Sequence, residues 1–201
     1  MKIAIDLDGV IMNSVEAYLE YWHPRYSIYD FKTHYMLDVL GIGVDQFLKE
    51  WHSVPLEKIE LIGGERVLKL LQRFSLFSYR NRYGKHQIYF LTSNNGWGCL
   101  RICHWLRKRG IWLPIQVSDS KQDWVDRFDI LIDDNGELSE WVGKDQLILI
   151  DQPWNRWVES KYDRFADVAD VFDYYLWDRM AEGKEIFKLA QLDGSDRNGI
   201  Y

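Results

Sequence analysis

At 201 residues the chain is long enough for one well-cored domain with at most a small subdomain. Its 47% apolar and 28% charged composition excludes global disorder, and a net charge of −6 leaves no general electrostatic footprint for nucleic-acid backbone. Cys99 and Cys103 are its only cysteines and share one predicted helix, which is neither a zinc-site pattern nor a disulfide framework. With no signal peptide and no long apolar span, the expected setting is the reducing cytoplasm, with no membrane partner.

Residues 2–6 are a predicted strand that ends in Asp6-Leu-Asp-Gly. Asn13 followed by Glu16 reads as a capping box, starting a helix that runs toward Trp22. Residues 23–62 are less regular, with Pro24, Pro55, one clear helical stretch over 45–52 and a concentration of aromatic side chains. A helix over 65–74 returns the chain to the core. Predicted strands then follow at 86–92, 113–117, 129–133 and 147–150. Between and after them come a helix over 97–109 stopped by Gly110, a helical turn over 121–128 and a last helix over 168–181. Strands alternating with helices predict an α/β fold with a mostly parallel sheet covered on both faces, a Rossmann-like three-layer sandwich.

Parallel strands place all their C-terminal ends on one edge, where open α/β sheets carry their chemistry. Asp6 and Asp8, Thr92 and Ser93, Lys121, and Asp133 and Asp134 all fall at or just past such ends. Each residue type suits phosphoryl transfer. A carboxylate such as Asp6 can attack phosphorus and form an aspartyl-phosphate. Asp8 can protonate the leaving oxygen and later deprotonate water, general acid–base help that is typically worth about 10²–10⁴-fold. Thr92, the backbone at Ser93 and the point charge of Lys121 suit phosphate oxygens. Mg²⁺ takes oxygen ligands and keeps several waters. Asp6, Asp8 (through its backbone carbonyl) and Asp133 are its candidate ligands, with Asp134 orienting the outer shell.

Taken together, Asp6-Leu-Asp-Gly-Val, Phe90-Leu-Thr-Ser, Lys121 and Ile132-Asp-Asp resemble, in order, the four motifs of the haloacid dehalogenase superfamily. The resemblance implies Asp6 as nucleophile, Asp8 as acid/base, Thr92 and Lys121 on the phosphate, and Asp133 and Asp134 serving the metal. An aspartate at position 8 resembles the phosphatase branch. The gap between the first two motifs resembles a small helical cap, giving a discontinuous core over 1–13 and 65–201 and a cap over 14–64. Leu131-Ile-Asp-Asp-Asn, Phe90-Leu-Thr-Ser-Asn and Ile150-Asp-Gln-Pro-Trp-Asn-Arg are similar to the 5'(3')-deoxyribonucleotidase family. That family hydrolyses deoxynucleoside monophosphates and seats the base among aromatic cap residues. One departure is Asp119, where the family's animal members carry arginine.

The expected activity is therefore Mg²⁺-dependent phosphomonoester hydrolysis of a nucleotide-like small molecule. The alternatives are a phosphatase for another small phosphorylated metabolite and an idle member that binds a nucleotide or a protein. Most of the aromatic residues over 14–64 are expected to pack within that segment. Trp22, Tyr26 and Trp51 are the candidates for lining a substrate pocket. Arg156 reads either as an active-site edge residue or as packing for its own turn.

Overall fold

Runs of Ile, Leu and Val without polar alternation suit strands buried on both faces. The computed structural model describes residues 1–32, 36–80, 87–93, 96–118, 120 and 125–176. Four such runs form the sheet centre: β1 (Lys2–Asp6), β2 (Gln87–Thr92), β4 (Ile130–Asp133) and β5 (Leu147–Ile150). Two short strands, β3 (Ile115–Val117) and β6 (Arg164–Phe165), close the edges. Short edge strands limit unwanted pairing with other chains. The order is β3-β2-β1-β4-β5-β6, and every neighbouring pair is parallel. This is an α/β sheet of Rossmann-like strand order.

Strand alternation sorts the side chains into two apolar clusters. Ile3, Ile5, Phe90, Ile132, Ile148 and Ile150 face one side, and Ala4, Leu91, Leu131, Leu147 and Leu149 the other. The first cluster packs against α1 (Ser14–Trp22), α4 (Gly64–Arg80), α5 (Gly96–Lys108) and α6 (Val168–Val171). On the second side the three-layer expectation meets something different. Among the described residues, Leu138 of a short 3₁₀ helix (Gly136–Glu140) and Phe128, Val142, Val158 and Tyr162 of turns and loops cover it. A buried sheet face needs apolar cover rather than helix as such, and the β4–β5 connection is too short for a long one.

The chain between β1 and α4 carries α1, α2 (Met36–Leu40) and α3 (Val44–Ser53). Several elements differ from their sequence-based outlines. Asn13 precedes α1 but makes no side-chain cap bond; its amide donates to the Glu16 carboxylate instead. α4 continues past Phe74, because Ser75 bonds back to the Leu71 carbonyl at 2.8 Å and accepts the Trp112 N–H at 2.8 Å. α6 is short and widens into a π turn over Phe172–Leu176, and the rest of the expected last helix lies outside the described residues. β6 has no apolar run to announce it. Among the described residues no helix is long and apolar enough to cross a membrane.

Candidate functional site

From β1 the chain moves through β2 to β3 on one side, then returns to place β4, β5 and β6 on the other. The order therefore reverses between β1 and β4, and the crevice at such a reversal is where open α/β sheets bind ligands. Asp6 ends β1, Asp133 ends β4 on the neighbouring strand, and Thr92 ends β2 on the opposite flank. The parallel register alone brings these residues to one edge.

The side chains of Asp6, Asp133 and Asp134 converge, with a carboxylate oxygen from each lying within 4.8 Å of the other two. Their exposures are 5%, 0% and 2%, so this is a buried group and not a solvated acidic surface. Thr92, at the end of the strand that pairs with β1, is buried at 1%. Three buried carboxylates repel one another, and charges out of water need compensation. A hard divalent cation with oxygen ligands fits that donor set, and Mg²⁺ is of this kind. Asp134 is one of the three acids that converge, and the Asp8 carboxylate is not in this group.

The surrounding bonds hold the acids in place. The Asn135 N–H donates to Asp133 Oδ1 at 2.9 Å. Trp154 Nε1–H donates to Asp134 Oδ2 at 3.1 Å, and Asn155 Nδ2 donates to the Asp134 carbonyl at 2.9 Å. Gln152 Nε2 donates to the Gly9 carbonyl at 2.9 Å, tying the loop after β5 to the loop after β1. Gly9 has φ +78°, and a Cβ there would lie 2.0 Å from Asp134 Oδ2. The motif glycine is thus required for both its turn and the acid beside it. Gln152, Trp154 and Asn155 were not singled out as site residues from the sequence, although their segment carried part of the resemblance. Arg156, by contrast, pairs with Asp151 at 3.1 Å.

A cavity of about 350 Å³ opens beside this edge. Asp8, Ser93 and Asp134 give its polar lining; Met36 and Leu37 of α2, Phe47, Leu48 and Trp51 of α3, and Trp154 wall the rest. Small-molecule sites commonly have such apolar walls and few polar groups. Of the expected pocket aromatics, Trp51 lines this cavity. Trp22 instead donates to the Glu50 carbonyl at 3.1 Å and to Ser53 Oγ at 3.0 Å, and Tyr26 packs near Phe31 with ring centroids 6.4 Å apart. Phe47 and Leu48 were not anticipated, and their one signal is the apolar spacing of 47, 48 and 51 on one helix. Lys121 lies outside the described residues.

Behind the aromatic wall, Tyr18 packs edge-on against Phe47 and at a tilt against Trp51, with centroids 5.3 and 5.5 Å away. Its hydroxyl donates to Glu50 Oε2 at 2.9 Å, His23 Nε2 lies 3.0 Å from the same oxygen, and Gln46 Nε2 donates to Oε1 at 2.8 Å. Burial pushes the Glu50 carboxyl up, but the bonds from Gln46, His23 and Tyr18 outweigh it and leave the group below its ordinary value. Burial, with Glu50 adjacent, pushes the Tyr18 hydroxyl well up.

No protein-family model matches this chain, and no curated protein matches its sequence.

Proposed function

We propose that this chain is a Mg²⁺-dependent phosphomonoester hydrolase that works through a phosphorylated Asp6, with deoxynucleoside monophosphates as its substrate class. The observation that carries the reading is the buried Asp6, Asp133 and Asp134 triad at the strand-order reversal, next to a cavity that Asp8 and Ser93 line. Residues 14–64 act in this reading as a helical cap, because α2 and α3 supply the apolar walls over the acids. The resemblance to haloacid dehalogenase phosphatases supports the same roles.

An Asp6 carboxylate oxygen attacks phosphorus, forming the new P–O bond as the bond to the leaving oxygen breaks. Asp8 transfers its proton to that oxygen, so the alcohol departs neutral. Asp8, now a carboxylate, accepts a proton from water as the water attacks phosphorus. The Asp6–phosphorus bond breaks, Asp6 is regenerated and inorganic phosphate leaves. Thr92, Ser93 and Lys121 hold the phosphoryl oxygens throughout. Bound at Asp6, Asp133 and Asp134, Mg²⁺ supplies positive charge that lowers the repulsion between the nucleophile and the phosphate. The aromatic and aliphatic walls suit a flat, weakly polar leaving group such as a nucleoside better than a polyol.

The test is phosphate release from a panel of nucleotides, sugar phosphates and a generic aryl phosphate, with and without Mg²⁺. Release from deoxynucleoside monophosphates in Mg²⁺ is expected, and none above background on any substrate defeats the proposal. Asp6→Asn is expected to remove turnover while leaving the circular dichroism unchanged. Full activity in that variant would take the nucleophile role away from Asp6.

A further inference from the structure

Helix α5 begins just after Thr92 and Ser93 and carries Arg101 and Trp105 one turn apart on one face, and Arg109 follows four residues later in the turn that ends the helix. All three reach across to the backbone that joins α3 to α4. The Arg101 guanidinium donates to the carbonyls of His52 and Val54. Trp105 Nε1–H donates to the Ile59 carbonyl at 3.0 Å, and Arg109 Nη2 donates to the same oxygen at 3.2 Å. Arg109 also lies 3.8 Å over the Trp105 ring. His52 is in the last turn of α3, whose carbonyls have no partner within the helix, so a guanidinium fork there caps the helix end.

The position of this cap gives it a consequence for the site. The captured helix is the one whose Phe47, Leu48 and Trp51 wall the 350 Å³ cavity. Arg101 itself lines a smaller cavity of about 30 Å³ together with Asp8, Ser14, Trp51 and His52. A single side chain thus connects the helix that follows the proposed phosphate-binding residues to the wall facing the leaving group.

We infer that Arg101 is a positioning residue that fixes α3 against the core and thereby sets which leaving groups the cavity accepts. The kinetic part of this inference rests on the phosphatase reading, whereas its structural part does not. Arg101 touches neither the carboxylate triad nor the phosphate in this scheme. Its removal should therefore act on binding of the leaving group and spare the chemical step.

The experiment compares the full chain with Arg101→Met, which keeps the aliphatic stem and loses both donors, and with Arg101→Lys, which keeps a charge. Amide hydrogen exchange is followed over 44–59, and steady-state kinetics are measured on 1-naphthyl phosphate and acetyl phosphate. In Arg101→Met, exchange over 44–59 is expected to speed up about tenfold, and KM for naphthyl phosphate to rise about tenfold, as loss of a charged hydrogen bond implies. kcat on naphthyl phosphate and both constants on acetyl phosphate are expected to stay within about twofold. Arg101→Lys should fall between, and it carries the same comparison if the methionine variant does not fold. Unchanged exchange overturns the clamp. Faster exchange with unchanged KM, or an equal loss on both substrates, overturns the positioning role. If the unaltered protein hydrolyses neither substrate, the same kinetic comparison is made on a deoxynucleoside monophosphate; if it hydrolyses none of these, the phosphatase reading fails, and exchange alone decides whether Arg101 holds α3.

Discussion

Between Gly9 and the Asp134 carboxylate there is no room for a methyl group, since a Cβ at position 9 would stand 2.0 Å from Oδ2. The residue also sits at φ +78°, where side chains are strained. Gly9→Ala is expected to lower unfolding free energy by about 1–3 kcal/mol, measured by chemical denaturation, and to weaken Mg²⁺ binding by displacing Asp134. Any unaltered variant would mean that the two loops can separate freely. At this scale the sequence was informative about chemistry and silent about contact. Asp-x-Asp-Gly after an apolar run named the acids and the glycine. Nothing in it indicated that the glycine would face an acid 125 residues later, or that Trp154 would donate to that same carboxylate at 3.1 Å.

At the level of elements, α1 and α3 are joined by polar bonds that converge on one buried acid. Tyr18, His23 and Gln46 all meet Glu50, which is 9% exposed. Because the folded carboxyl lies below its ordinary value of 4.5, its stabilisation is fully present above that value. It is lost as pH falls through the lowered folded value. Glu50→Gln should therefore have a lower Tm than the unaltered chain at neutral pH, and the gap should close on acidification below about pH 4.5. A pH series of thermal melts checks this; a gap that stays constant to pH 3 would show that the carboxylate's charge plays no part. Periodicity foretold α3 to within a residue at each end. It ended α4 at Phe74, whereas the helix runs on through Ser75, whose hydroxyl accepts from the distant Trp112 amide. The Asn13 and Glu16 pair has the spacing of a cap, yet the two side chains bond each other. Local spacing limits which bonds are possible, and packing chooses among them.

Across the whole molecule, the sheet order gathers acids from distant segments around one crevice. Mg²⁺ is expected to raise Tm, with stabilisation near 2.7 kcal/mol when free Mg²⁺ is about one hundred times Kd. A chelator should reverse the effect. Asp133→Asn should abolish the Mg²⁺ shift, because it removes one of the three carboxylates that would hold the ion while keeping an acceptor for the Asn135 amide. Differential scanning fluorimetry reads the shift, and one that survives in Asp133→Asn would place the ion elsewhere.

The sequence by itself determined the α/β class, the inner strands and the acids at their ends, because burial on two faces demands continuous apolar runs and a carboxylate can stop such a run only at its exit. Tertiary structure alone decided that β6 exists, that Trp154 donates to Asp134, and that Phe47 and Leu48 wall the cavity with Trp51. It also decided that, among the described residues, a short 3₁₀ helix, turns and loops cover the second sheet face. Those outcomes depend on distances between segments far apart in the chain. No local pattern encodes them, since the same helix or loop would form wherever the sheet order happened to place it.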